Sequence, residues 1–342
     1  MSVQRNTLPG RRKFMQLRLA IQVMLIALLG QAGAAQAQTF GLGITASRPD
    51  LGSVTSADVG DTVFRVDAAT GAISKVSGGG ARLGTGTSVV TVTVTCGNQN
   101  ACNSRTLNGT ISAVGTPTGR AGPMTNFDLA GSVISNESGS NPRTFRVGAI
   151  GKNSSKTFTV GMDFPIKGDN AGGGTNAAQS SFTITLTPNG SGNTVSKTGT
   201  GLATVYRSLG IAKNSDLSFG RIVRPGSGNG TVTINAITGL RSLGGAAVGL
   251  PTPSPSRANY TVSGEGGRTL SVTIPSSIVM TREGGTETLT VTTTNTASTP
   301  KLSSILGMAG TYTFSVGGSF PLDSTTASGA YSGVFNVSVA YN

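Results

Sequence analysis

Gly329-Ala-Tyr-Ser-Gly-Val-Phe-Asn-Val-Ser-Val-Ala-Tyr-Asn342 is the stretch that decides the fold. Phe335, Val337, Val339 and Tyr341 share one parity, and Asn336, Ser338 and Ala340 share the other. A β-strand turns successive side chains to opposite faces, so this segment offers one apolar and one mostly polar face. The same layout occurs earlier as Phe182-Thr-Ile-Thr-Leu186. Alternation that recurs in this way predicts an all-β chain built twice over.

Three further blocks recur in the same order. Leu42-Gly43-Ile44 with Asp50-Leu51 matches Leu209-Gly210-Ile211 with Asp216-Leu217. Asp67-Ala-Ala-Thr-Gly71 matches Asn235-Ala-Ile-Thr-Gly239, and Phe158-Thr-Val-Gly-Met-Asp-Phe-Pro-Ile166 matches Phe314-Ser-Val-Gly-Gly-Ser-Phe-Pro-Leu322. The blocks predict two tandem domains, 38–200 and 201–342. The Pro/Gly/Ser/Thr-rich stretch 188–201, without apolar periodicity, is expected to link them. Each copy is expected to hold about seven short strands in an antiparallel, immunoglobulin-like sandwich. In the second these are 203–212, 230–236, 258–263, 269–275, 287–293, 311–317 and 332–341. Pro165 and Pro321 are expected at strand ends or edges, because proline cannot donate to a ladder.

Composition agrees with such a fold. Gly is 51 of 342 residues, about twice the usual ~7%, and Val/Ile/Thr runs alternate with Gly/Asn/Ser clusters. The formal charge is +13. Arg5, Arg11, Arg12, Lys13 and Arg18 contribute five of the 26 basic residues; without them 21 basic stand against 13 acidic side chains, a net of +8. The remaining bases are scattered and no aromatics interleave them, which argues against nucleic acid as a partner.

Residues 1–37 read as a signal peptide. A basic start precedes the apolar run Leu19–Leu29, which is too short for the ~20 residues of a spanning helix. Ala35-Gln36-Ala37 fits a small-x-small cleavage site, leaving Gln38 as the mature start and no transmembrane helix in the mature chain. Arg11-Arg12-Lys13-Phe14-Met15 also fits a twin-arginine signal, so both export routes stay open.

Cys96 and Cys102 are the two cysteines. In an exported chain, two so close are expected to form a disulfide that closes a loop after the strand 89–95. Two thiols without a further ligand do not fill a tetrahedral metal site. His is absent, which removes Ser-His-Asp and Cys-His nucleophile systems and histidine metal sites. Asp58, Asp61 and Asp67 lie close in sequence but form no D-x-D-x-D-G loop. No enzyme activity and no cofactor are expected.

At its end the chain resembles chaperone–usher pilins, which close on an alternating apolar strand with a penultimate aromatic and a glycine fourteen residues from the end. Here those residues are Tyr341 and Gly329, with Phe335, Val337 and Val339 alternating between them. Residues 205–342 also resemble a family of secreted proteobacterial domains of unassigned function. The carrying residues are Leu217-Ser-Phe-Gly220 and the G-x-Y-x-G-x-F-x-V-x-V-x-Y ending from Gly329. Fimbrial and spore-coat-type secreted sandwiches are similar. The resemblance implies that Phe335, Val337, Val339 and Tyr341 face a periplasmic chaperone, and that a neighbouring surface subunit later supplies a missing strand. Leu42-Gly43-Ile44 matches the first strand of the second copy, so the mature start is expected to be an intrinsic strand rather than a donor arm. The expectation is therefore an exported structural or adhesive surface protein, a fimbrial tip subunit assembled by strand addition, with an unidentified host or surface ligand. The alternative is a free periplasmic or secreted two-domain binding module with complete sandwiches.

Overall fold

Period-two alternation along Thr- and Val-rich segments leaves no stripe for a helix to bury, and the chain folds accordingly into strands. The computed structural model describes residues 42–97, 104–171, 177–190 and 192–342. The signal peptide with Ala35, Ala37 and Gln38, and the second cysteine Cys102, lie outside the described residues.

In chain order the first half forms β1 (Leu42–Ala46), β2 (Asp50–Thr55), β3 (Thr62–Val66), β4 (Ile73–Ser77), β5 (Val90–Cys96) and β6 (Leu107–Gly119). It continues with β7 (Thr125–Ala130), β8 (Ile134–Gly139), β9 (Arg143–Val147), β10 (Ser154–Ile166), a 3-10 turn (Asp169–Ala171), β11 (Ala177–Pro188) and β12 (Val195–Tyr206). The second half begins with β13 (Gly210–Ser215), β14 (Ile222–Val223), β15 (Asn229–Ile234), β16 (Arg241–Gly245), β17 (Val248–Gly249) and β18 (Ala258–Glu265). It ends with β19 (Leu270–Thr273), β20 (Ser277–Arg282), β21 (Thr288–Asn295), β22 (Ala309–Asp323), β23 (Tyr331–Ser332) and β24 (Ser338–Tyr341).

The ladders sort these strands into two units that share no sheet. In the first unit one sheet runs β1-β5-β10-β3-β4, with β7 on β10, and the facing sheet runs β2-β12-β11-β6-β9-β8. In the second unit the main sheet runs β13-β18-β22-β21-β20-β23, with β15 on β22 and β16 on β15, beside two ribbons, β14-β17 and β19-β24. The product is an all-β, mostly antiparallel pair of sandwiches. Residues 42–46 pair with β5 and so belong to the first unit's sheet.

The matched blocks have matching local causes. Asp67 accepts from the N–H of Ala69 and Thr70 (3.0 and 2.7 Å), and Asn235 accepts from the N–H of Ile237 and Thr238 (2.8 and 2.9 Å). Both are side-chain-capped turns, and each closes on a glycine in the left-handed region, Gly71 and Gly239. Pro165 lies beyond Asp163, where β7 stops pairing with β10, and Pro321 lies beyond Ser319, where β21 stops pairing with β22. Each proline therefore occupies a stretch flanked by a strand on one side only.

Three expectations need correction. The stretch 188–201 is not a linker: β11 ends at Pro188, and β12 runs from Val195 to Tyr206, antiparallel to β11 and parallel to β2. Its apolar period is hidden because two inward positions are glycines. A Cβ at Gly199 would lie 2.4 Å from Phe182 Cζ, and one at Gly201 would lie 2.2 Å from Met124 Cε and 2.8 Å from Phe164 Cε2. Backbone passes so close to these side chains that nothing larger fits. The expected strand 203–212 is split between β12 and β13 by the connector 207–209, and the expected strand 332–341 breaks into β23 and β24.

That break marks the main difference between the units. β11 pairs with β6 along its length, from Ala178↔Gly119 to Pro188↔Leu107, and with β12 on its other edge. In the second unit β23 pairs with β20, and β24 with β19, through Arg282↔Tyr331 and Leu270↔Tyr341. These two short ladders stand where one long ladder stands in the first unit, and residues 333–337 join neither. The cores follow suit. One continuous cluster fills the first unit, with Phe182, Ile184 and Leu186 fully buried. In the second unit the core divides into two clusters, one around Phe320 and one around Phe314, bridged by half-buried Leu217 and Phe335.

Truncating the two matched phenylalanines separates the units. Phe182→Ala should cost about 3–5 kcal/mol, and Phe335→Ala roughly half of that, because its ring is only half-buried. Chemical denaturation of the two variants measures the difference.

Candidate functional site

The first unit shows how its two sheets are closed at one side. β2 is held on its outer edge by residues 81–83, through Thr55 N–H to Ala81 O (2.6 Å) and Leu83 N–H to Ser53 O (2.9 Å). On its inner edge lies β12, which joins it to β11. In the second unit the matched segment, from Leu217 on, is likewise held on its outer edge. Ser218 and Ser256 exchange both backbone hydrogen bonds at 2.8 Å, and Leu250 N–H donates to Arg221 O at 2.9 Å. On its inner edge no strand among the described residues pairs with it, and none pairs with the outer edge of β24.

A cleft of about 590 Å³ opens between the first of these edges and residues 328–331, which lead into β23. Leu217 to Ile222 form one wall, Ser328 to Tyr331 the other, and Met280, Leu289, Phe320 and Leu322 the floor. Phe219 packs edge-on against Phe320, with ring centroids 4.8 Å apart. Backbone at such an edge is left without a ladder partner, and the apolar floor lies beside it.

The sequence-derived residues fall around this slot. Gly329 lines it. Its φ is 153°, and a Cβ there would come within 2.9 Å of Arg282 Cδ. Arg282 is in turn fixed by two hydrogen bonds to Glu287, at 2.8 and 2.9 Å; these hold the Glu287 carboxyl down to about 2. Phe335, Val337, Val339 and Tyr341 all turn inward onto the Phe314 cluster, and each is half-buried. Cys96 closes β5 and is buried.

Tyr341 does more than continue the alternation. Its hydroxyl accepts from Glu265 N–H and donates to Arg207 O, both at 2.7 Å. Its ring lies 5.7 Å from that of Tyr206, the last residue of β12, and Arg268 sits over the Tyr206 ring at 4.4 Å. Arg207 N–H donates to the buried Glu265 carboxylate at 3.1 Å, and Ser208 Oγ donates to Asp58. On the first-unit side, buried Arg120 pairs with Asp169 at 2.7 Å. The end of β24 is thus tied to the connector between the units. Sequence alone pointed to Tyr341 by its place at the end of an alternating strand. It carried no signal for Glu265, Arg207 or Arg268, which act through contacts made across the joint.

Residues 209–341 match the family model described as "Domain of unknown function (DUF4402)". No curated protein matches the chain. Among solved structures, the chain is similar to a chaperone–tip adhesion subunit pre-assembly complex (CsuC–CsuE) from the archaic chaperone–usher Csu pili of Acinetobacter baumannii. That likeness has 9% identity and a TM-score of 0.28, over 86% of this chain and 99% of the other. A chaperone–tip adhesin complex of CFA/I fimbriae biogenesis is similar at 8% identity and a TM-score of 0.24, over 86% of this chain and 97% of the other.

Burial pushes the Tyr341 phenol up to about 12 from an ordinary 10.0, against the opposing hydrogen bond from Glu265 N–H. A raised phenol favours the folded state in its neutral form. That contribution is fully present below pH 10 and is lost as pH rises from 10 to about 12. Tyr341→Phe should remove the highest-pH component from the ultraviolet titration. It should also cost roughly 1–2 kcal/mol, because two backbone groups lose their partner.

Proposed function

We propose that this chain is an exported surface subunit whose second sandwich is completed by a strand from another polypeptide. A periplasmic chaperone would supply it first, and a neighbouring surface subunit afterwards. The observation that supports this most is the pair of facing free edges, 217–222 and β23–β24, at the place where β12 lies in the first unit. An added strand would satisfy both edges and cover the half-exposed faces of Phe335, Val337 and Val339.

On this reading the two units are tandem copies of one domain. The first copy is closed by its own β12 and is free to act as a structural or adhesive head, as in a fimbrial tip subunit. Its ligand would be a host or surface molecule. The basic, apolar start of the chain, with cleavage after Ala37, supports export. Cys96 with Cys102 would then form a disulfide outside the cytoplasm. A non-enzymatic role is supported by the absence of histidine from the sequence. Among the described residues no helix is long and apolar enough to cross a membrane.

Surface fractions sheared from cells that express the chain, read by mass spectrometry, test the assignment. The chain should be recovered in high-molecular-weight fibres, and in the periplasm as a complex with a second polypeptide. Recovery solely as a free soluble monomer would contradict it.

A further inference from the structure

The slot also specifies the shape of the strand it takes, an inference that rests on the strand-addition reading above. β12 is a template from the same chain. It runs antiparallel to β11, with Gly199 opposite Phe182 and Gly201 opposite Ser180, and parallel to β2, with Val205 beside Val54 and Tyr206 beside Thr55. Its inward residues are Gly199, Gly201, Ala203 and Val205, a series that grows from no side chain to a branched one. The order has a cause. The Phe182 and Phe164 rings occupy the space under the two glycines, whereas Val205 is itself buried in the core at the far end.

The second unit repeats the obstacles. Phe335 stands at the matched position of Phe182, and Phe320 at that of Phe164. Past Phe335 lies the cleft between Leu217–Ile222 and Ser328–Tyr331, with Phe320 in its floor; its far end is the place that Val205 fills in the first unit. We infer that the slot takes a wedge-shaped strand, antiparallel to β24. It carries Gly or Ala where it passes Phe335 and crosses Phe320 at the near end of the cleft, and a bulky apolar residue at the end that reaches the far side of the cleft. A strand with large residues at every inward position would collide with the two rings.

Synthetic peptides added to the full-length mature chain test this, because the first unit's own slot is already filled. The first peptide is the chain's segment Thr194–Tyr206. The second carries Gly199→Leu and Gly201→Leu, the third carries Val205→Ala, and the fourth alternates valine and threonine throughout. The Thr194–Tyr206 peptide should bind, raise the melting temperature, and slow amide exchange in residues 331–341. The second and third peptides should bind about tenfold more weakly or worse. Equal or tighter binding of the leucine, alanine or valine/threonine peptide would overturn the wedge and leave strand addition standing. If no peptide of any pattern slows exchange in 331–341, strand addition itself fails, and the wedge with it.

Discussion

A strand edge is a row of N–H and C=O groups that must find partners, and inside a sandwich only another strand supplies them all. The first unit meets this demand with β12, which pairs with β2 on one side and β11 on the other. Its core is continuous as a result, and the apolar side chains of β11 are fully buried. In the second unit the matched segment 217–222 faces residues 328–331 across a cleft with an apolar floor. The divided core and the half-burial of Phe335, Val337 and Val339 accompany that difference, and the break between β23 and β24 lies opposite the break between β19 and β20. Residues 333–337 thus lack ladder partners on both edges, whereas β11 has β6 on one and β12 on the other.

The end of β24 is nevertheless firmly placed. Tyr341 lies at the joint between units, and its hydroxyl ties Arg207 O of the connector to Glu265 N–H of the second unit. The strand that borders the slot is therefore anchored at its last residues and least constrained in its middle. An added strand would meet a fixed end and could order the remainder by pairing. Because Tyr206 closes β12 and touches Tyr341, the closing strand of the first unit and the open edge of the second meet at one point. The charged residues around them, Arg207, Glu265, Arg268 and Asp169, make that joint a set of directed contacts rather than a loose tether.

Much of the fold was legible in the sequence because alternation and turn chemistry are local. Phe182-Thr-Ile-Thr-Leu186 and the Asp67 and Asn235 turns announce their structure in a few residues. β12 was not legible. Its inward positions are Gly199, Gly201 and Ala203, so the segment looks like a linker until the Phe182 and Phe164 rings that demand those glycines are seen. β20 and β16 were missed because their burial is slight and alternation gives no sign of them. The strand at 332–341 was expected to be continuous, since its residues alternate without a break. Its ladder partner is itself divided, with β19 ending at Thr273, β20 beginning at Ser277 and Pro275 between them, a break that lies outside the strand's own pattern. The walls and floor of the slot come from segments far apart in the chain, and the joint around Glu265 is equally non-local.

Amide hydrogen exchange on the isolated, monomeric chain tests the open edge most directly. Asn342 N–H donates to Thr269 O on the β19 side, so by the alternation of an antiparallel ladder the N–H groups of Val339 and Tyr341 point to the other edge. They should exchange rapidly, while those of Ile184 and Leu186 in β11, bordered by strands on both sides, exchange slowly. Val339 and Tyr341 amides as well protected as those of Ile184 and Leu186, in the absence of any partner, would contradict the account.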